Sequence, residues 1–276
     1  MANDSYYDIL TAAVNDISEH GFDSAERIAF WSEEIRKAAE RTMASPSVLE
    51  QQLKDAMAAI YQRLVERGEV AKFHPGVARF TLERLRPQMR AELDRRIMAS
   101  ASLIKLNKTQ SVQKTLQRFQ GWATSIPAGG SDNVDKREEK ATLSKALRQL
   151  PFEERRVLID QSHKLTASIN EIVASDGGAI ALKWHSNFRQ PGYNFRPDHK
   201  ERDGKVYLLR NSWAKDAGLV KKGDDGYYDE ITAVAEEPFC RCSAVYIYNL
   251  RSLPSDMLTQ KGKDSLAAVR AQLGTT

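Results

Sequence analysis

Near its C-terminal end the chain reads "EEPFCRCSAVYIYNL", and its only two cysteines, Cys240 and Cys242, stand there with one residue between them. Upstream comes "FRPDHKERDGKVYLL", which carries His199 in a turn-rich run, and His185 precedes it in "ALKWHS". Two imidazoles and two thiolates would complete the tetrahedral donor set of zinc, so His185, His199, Cys240 and Cys242 form one candidate ligand group. The Cys-x-Cys spacing is tighter than the Cys-x2-Cys of common zinc knuckles. On an extended strand, positions 240 and 242 face the same way, and two same-facing cysteines either chelate an ion or simply pack as buried thiols. A second chemistry is nucleophilic: a cysteine served by His185 or His199, with Arg241 favouring the thiolate. It would also need an oxyanion hole, and nothing around Cys240 resembles a nucleophile elbow. A third is a single-metal nuclease built on Asp198 and His199. No Gly-rich phosphate loop, G-x-S-x-G or H-E-x-x-H is present. "RPDHKERDG" also has a plain reading, in which Asp203-Gly204 is a turn that feeds the strand "KVYLL".

The elements that must position these residues are legible from periodicity. "DSYYDILTAAVNDISEHG" places Tyr7, Leu10, Val14 and Ile17 at helical spacing, with Gly21 as its stop. "DSAERIAFWSEEIRKAAERTM" opens on a cap and repeats Ile28, Trp31 and Ile35. A third helix has Ser45 as cap, Pro46 in its first turn and a stripe of Leu49, Leu53, Ala56, Ile60 and Leu64. The segment from Pro75 gives one or two helices broken near Pro87, and "TQSVQKTLQRFQGWATSI" gives another. "PAGGSDNVDKREEK" has linker composition. "TLSKALRQLPFEERRVLIDQSHKLTASINEIVASDGG" reads as two helices ended by Gly177 and Gly178. From Ala179 the period changes: "AIALKWH", "GKVYLL" and "AVYIYNL" read as short strands, and the tail from Ser255 as an amphipathic helix. The expected architecture is α+β, a helical N-terminal half followed by a small loop-rich module with a short antiparallel sheet. Its expected divisions are 1–126, a linker at 127–141, and 142–276.

Length and charge bound the partners. The 276 residues carry a net charge of +4, with 41% hydrophobic and 28% charged residues. No apolar run approaches the ~20 residues of a membrane span, so no membrane partner is expected. "MANDSYYDILTAAV" lacks the basic stretch of a signal peptide, and two cysteines do not make a disulfide scaffold. The sequence pI near 8.9 permits nucleic-acid contact without requiring it. Basic residues concentrate at Arg84, Arg86, Arg90, Arg95, Arg96, Lys105 and Lys108, and on through Lys114 and Arg118. That stretch is either a solvated helical face or a surface for DNA or an acidic partner. No helix-turn-helix or zinc-finger signature accompanies it, so sequence-specific reading is not expected. The side-by-side aromatics Tyr6-Tyr7 and Phe30-Trp31 cannot all face one core, because neighbours on a helix are ~100° apart. Some should point at another helix or another chain.

The order of features from residue 150 to 250 resembles the Mu-F-like phage head morphogenesis domain, the minor head protein module of tailed bacteriophages. In that family a tryptophan-bearing strand leads to an R-x-x-H…DG segment and ends at a Cys-Arg-Cys turn. Trp184, Arg196, His199, Asp203, Gly204, Cys240, Arg241 and Cys242 fall on those positions. This chain has Phe239 where the family often has Asn before the first cysteine, and the insertion "NFRQPGYNF" widens the gap between Trp184 and Arg196.

The resemblance implies a virion component rather than an enzyme, a minor head or portal-associated protein acting in head assembly and DNA retention or delivery. Its implied partners are the portal and other virion proteins, further copies of itself, and packaged DNA without sequence specificity. Its implied location is the virion, and the host cytoplasm during assembly. On this view the Cys/His group clamps a thin module, by packing or by a metal such as zinc, and no other cofactor is implied. A head–tail adaptor ring and a metal-dependent hydrolase or nuclease are the alternative readings.

Overall fold

The computed structural model describes residues 5–43, 46–272 and 274. The helix α1 (Tyr6–His20) opens on a capping box, in which the Ser5 hydroxyl accepts from the Asp8 amide and the Asp8 carboxylate accepts from the Ser5 amide. Its buried stripe is Tyr6, Leu10, Val14 and Ile17. Tyr6 therefore takes the place expected for Tyr7, which is half exposed, because Tyr6 lies one full turn before Leu10. Helix α2 (Ala25–Thr42) starts at the Ser24 cap and buries Ile28 and Ile35, with Trp31 partly covered. One aromatic of each adjacent pair, Tyr7 and Phe30, stays more than half exposed at 51% and 58%.

Helix α3 (Pro46–Tyr61) runs into a π turn (Gln62–Glu66) and a 3-10 turn (Glu69–Phe73). Its buried residues are Leu53, Met57, Tyr61 and Leu64. Ala56 and Ile60 of the expected stripe are only partly covered, and Met57 and Tyr61, four and eight residues after Leu53 on the same face, take the buried places. The expected cap at Ser45 lies outside the described residues.

Two long helices replace the shorter ones expected. Helix α4 (Arg79–Ala123) passes through Pro87, and helix α5 (Lys136–Asp176) through Pro151, without a break. An interior proline costs ~3 kcal/mol or more. Against that, Leu85, Met89, Leu93, Ile104, Val112 and Phe119 keep one stripe of α4 buried along its length, and Leu143, Leu150, Val157, Leu165 and Ile169 do so on α5.

The chain forms two compact units, each assembled from two separate stretches: Met1–Lys54 with Met98–Leu158, and Asp55–Ile97 with Ile159–Thr276. The divisions expected at 126 and 142 therefore do not coincide with the compact units. Each long helix contributes part of itself to each unit.

In the first unit Leu10, Val14, Ile17, Ile35, Phe119, Ala123 and Leu143 share one core. The stretch expected as a linker is a fitted loop. The amides of Gly129 and Ser131 donate to the carbonyls of His20 and Ser18 at 2.9 and 2.8 Å, satisfying the C-terminal carbonyls of α1. At Gly130 (φ 84°) a Cβ would collide with the Ser18 and Glu19 carbonyls.

In the second unit β1 (Ala181–His185) is the centre of a three-stranded antiparallel sheet, flanked by β2 (Val206–Leu208) and β3 (Ser243–Ile247). The register pairs Leu182 with Tyr207 and Tyr246, and Trp184 with Ala244. Leu182, Trp184, Tyr207 and Tyr246 pack with Ala174 and both cysteines, while Ile180, Val206, Leu208 and Ile247 pack in a separate core. The face that bears Leu182 and Trp184 is thus buried, while the opposite face is covered at Ala181, Val206, Leu208 and Ile247 and exposed at Lys183 and His185. His74 is buried in this unit between the Asn170 amide oxygen (2.9 Å) and the Tyr248 hydroxyl. The short helices α6 (Pro197–Glu201) and α7 (Trp213–Asp216) and the terminal α8 (Gln260–Gln272) complete it. No helix among the described residues is long and apolar enough to cross a membrane.

Candidate metal centre

Three short segments of the second unit build the site. Pro197 opens α6 and holds the preceding Arg196 extended (φ −84°, ψ 137°), so that the third helical residue, His199, is buried to 1% exposure. The Asp203-Gly204 turn then returns the chain to the sheet: Gly204, at φ 82°, donates its amide to the Trp184 carbonyl at 2.8 Å. One Asp203 oxygen accepts from the Ser186 amide at 2.9 Å and the other from Arg189 at 3.2 Å. The Cys-Arg-Cys turn enters just before β3 and buries both sulfurs, each residue 1% exposed.

His199 Nδ1 lies 3.5 Å from Cys240 Sγ and 3.5 Å from Cys242 Sγ. All three ligand atoms fall within 4.8 Å of one another. Zinc bond lengths to nitrogen and sulfur with a tetrahedral angle require an N···S edge of about 3.6 Å. The spacing therefore matches a Cys2His face of a tetrahedron, and the group could hold a metal. No fourth protein ligand joins it among the described residues.

The surrounding polar atoms fit the same chemistry. Among the described residues, six buried side-chain polar atoms have no hydrogen-bond partner, and four of them, Trp184 Nε1, Ser186 Oγ, His199 Nε2 and Glu237 Oε2, surround this group. His199 Nε2 and Glu237 Oε2 face each other at 2.9 Å, and Trp184 Nε1 and Ser186 Oγ lie beside Cys242. Trp184 and Ser186 both favour the thiolate of Cys242. The hydrogen bond between the two thiols lowers the pKa of Cys240 and raises that of Cys242. Burial resists both ionisations, and the backbone amides of Cys242 and Ala235 favour the Cys240 thiolate. The pair thus gives up its first proton more easily than its second, and a bound cation would favour release of both.

The expected ligand His185 is not part of the group. It is exposed at the end of β1, one residue beyond buried Trp184, and strand alternation sends the two to opposite faces. His199, by contrast, packs edge-on against the Trp184 ring, 5.4 Å between centroids. Asp198 is half exposed and pairs with Arg202 at 2.8 Å, so it stands outside the group as well. Arg241 is exposed. Its amide donates to the Tyr193 hydroxyl at 3.1 Å, and that hydroxyl donates to the Phe239 carbonyl at 3.4 Å. The inserted loop is thereby laid over the Cys-Arg-Cys turn.

The basic stretch is largely paired rather than free. Arg84 meets Asp176 at 3.2 Å and Arg90 meets Asp94 at 3.4 Å, while Arg95 and Arg96 both meet Glu92 at 2.7 Å. Arg96 is 14% exposed and reaches Gln161 and Ser168, and Lys108 is buried 3.9 Å from Glu154. Burial would raise the Glu92 carboxyl, but hydrogen bonds from Arg95 and Arg96 hold it below the usual range. Arg86 and Lys105 are exposed.

Four participants escaped sequence reasoning. Glu237 Oε2 approaches His199 Nε2 to 2.9 Å and Arg196 Nε to 2.8 Å. His163 Nε2 is 3.0 Å from the Cys242 carbonyl. Buried Asp160 accepts from the Phe239 amide at 2.6 Å, and Lys164 pairs with it at 3.2 Å. The spacing of Asp160, His163 and Lys164 on α5 puts them on one helical face, a signal that pointed to a shared partner without naming it.

No family model matches the chain, and no curated protein or solved structure is significantly similar to it.

Proposed function

We propose that the chain is a structural protein of a tailed-phage head, a minor head or portal-associated subunit, whose second unit is clamped by a zinc ion on His199, Cys240 and Cys242. The observation that carries this reading is the convergence of the motif. Trp184, His199, Cys240 and Cys242, which lie far apart in the chain, meet in one buried cluster, with Arg196 and the Asp203-Gly204 turn holding its edges. Ligands exposed by only 1% suit an ion that holds loops together better than one that must meet a substrate. The portal and other virion proteins are the partners this reading names.

The test is the composition of purified particles from a host that carries the gene. The protein should co-purify with DNA-filled heads, and labelled-particle images should place it near the portal vertex. Its absence from intact particles during productive infection would end the reading.

The open fourth corner favours a second reading, a metal-dependent hydrolase, because catalytic zinc keeps such a position for water. Zinc-loaded protein that cleaves DNA, and a Cys242→Ser variant that does not, would decide for it.

A further inference from the structure

We infer that Glu237 is the positioning residue of this centre: its carboxylate accepts a hydrogen bond from the Nε2–H of His199, keeps the proton on that nitrogen, and so presents the Nδ1 lone pair to the ion. The inference rests on the metal reading above and adds the group that sets the affinity. A free imidazole carries its proton on either nitrogen, and only the form protonated at Nε2 can ligate through Nδ1. Here Nδ1 faces the two sulfurs at 3.5 Å each, so Nε2 must carry the proton when a metal is bound.

Two carboxylates approach Nε2. Asp198 Oδ2 is 3.8 Å away, half exposed and already paired with Arg202. Glu237 Oε2 is 2.9 Å away, and both it and Nε2 are buried without an aligned hydrogen bond. The nearer group is therefore the partner, and fixing the proton on Nε2 completes its bond. A carboxylate behind a ligating histidine raises the basicity of the ring and holds its orientation.

Arg196 explains how an extra negative charge is tolerated beside two thiolates. Its Nε lies 2.8 Å from Glu237 Oε2 and its second guanidinium nitrogen donates to the Pro238 carbonyl at 2.9 Å. Dication, two thiolates, carboxylate and guanidinium then sum to zero, which a buried site requires. The Arg-Pro-x-His and Glu-Pro-x-Cys segments thus grip each other twice, through Arg196 with Glu237 and through His199 with the thiols.

The experiment measures zinc affinity by competition with a chromophoric chelator, together with the visible spectrum of the cobalt(II)-loaded protein, in the full chain. Glu237→Gln should bind zinc 10–100-fold more weakly, while the metal-free variant melts with the metal-free wild type. Arg196→Gln should weaken binding in the same direction, and Arg196→Gln with Glu237→Gln should be no weaker than Glu237→Gln alone. Glu237→Asp, which keeps the charge, should recover part of the affinity and of the cobalt spectrum. Wild-type affinity in Glu237→Gln overturns the inference and leaves the metal reading intact. So does a loss of affinity that merely follows a lower melting point of the metal-free variant. A wild-type protein that binds neither zinc nor cobalt overturns both.

Discussion

Phe239 and Ala235 hold their backbones in the left-handed region, at φ 60° and 62°. For an L residue with a Cβ that conformation costs ~1–2 kcal/mol, and Asn tolerates it best after Gly. Phe239→Asn should raise stability by about 1 kcal/mol in urea unfolding. A loss instead would mean that the partly exposed ring packs for more than its backbone strain. A second contrast separates paired from solvated arginines. Arg96→Glu removes the partner of a nearly buried Glu92 and should cost about 3–5 kcal/mol. Arg90→Glu, at a 62% exposed side chain, should shift stability by no more than about half a kcal/mol. Equal losses in the two variants would show that the Arg96 network adds nothing to the fold.

The loop between α4 and α5 has the composition of a tether and the bonding of a clasp. Gly129 and Gly130 test which description governs. Both have positive φ, at 91° and 84°, but a Cβ at Gly129 meets nothing within 4 Å, whereas one at Gly130 meets the carbonyls that end α1. Gly129→Ala should therefore cost only the strain of its φ, ~1–2 kcal/mol. Gly130→Ala should cost more than about 3 kcal/mol, since backbone rather than a movable side chain blocks it. Hydrogen exchange at the last turn of α1 would report the difference locally. Indistinguishable exchange in the two variants would return the loop to the status of a linker.

The two compact units interleave along the chain, and that sets how the protein can be divided. A cut in the 127–141 loop separates Leu143 from the core it shares with α1, α2 and Phe119, and removes residues 55–97 from the unit that holds the sheet. Fragments 1–130 and 140–276 should each lack cooperative unfolding and exchange rapidly, yet regain structure when mixed. Sharp calorimetric transitions in the isolated fragments would show instead that each half carries a sufficient core. Binding experiments with a portal protein therefore call for point variants of the whole chain.

Much of the local structure was determined by the sequence itself. The stops at Gly21 and Gly178, the cap at Ser24 and the three strands follow from the φ that glycine allows, from side-chain capping and from alternation over a few residues. So did the meeting of His199 with Cys240 and Cys242, which the residue types and the Asp-Gly turn made recognisable. Periodicity misjudged the prolines, because a local cost of a few kcal/mol at Pro87 and Pro151 is set against burial along the rest of each helix. It could not exclude His185, whose type suited the site but whose parity on β1 did not. It could not nominate Glu237, Asp160 or His163, which are unremarkable acids and an imidazole until the chain brings them to Arg196, Phe239 and Cys242. Nor could it tell Arg96 from Arg90. Both are basic residues on one helix, and only the tertiary structure buries one against Glu92 and leaves the other in water, where the same charge is worth far less.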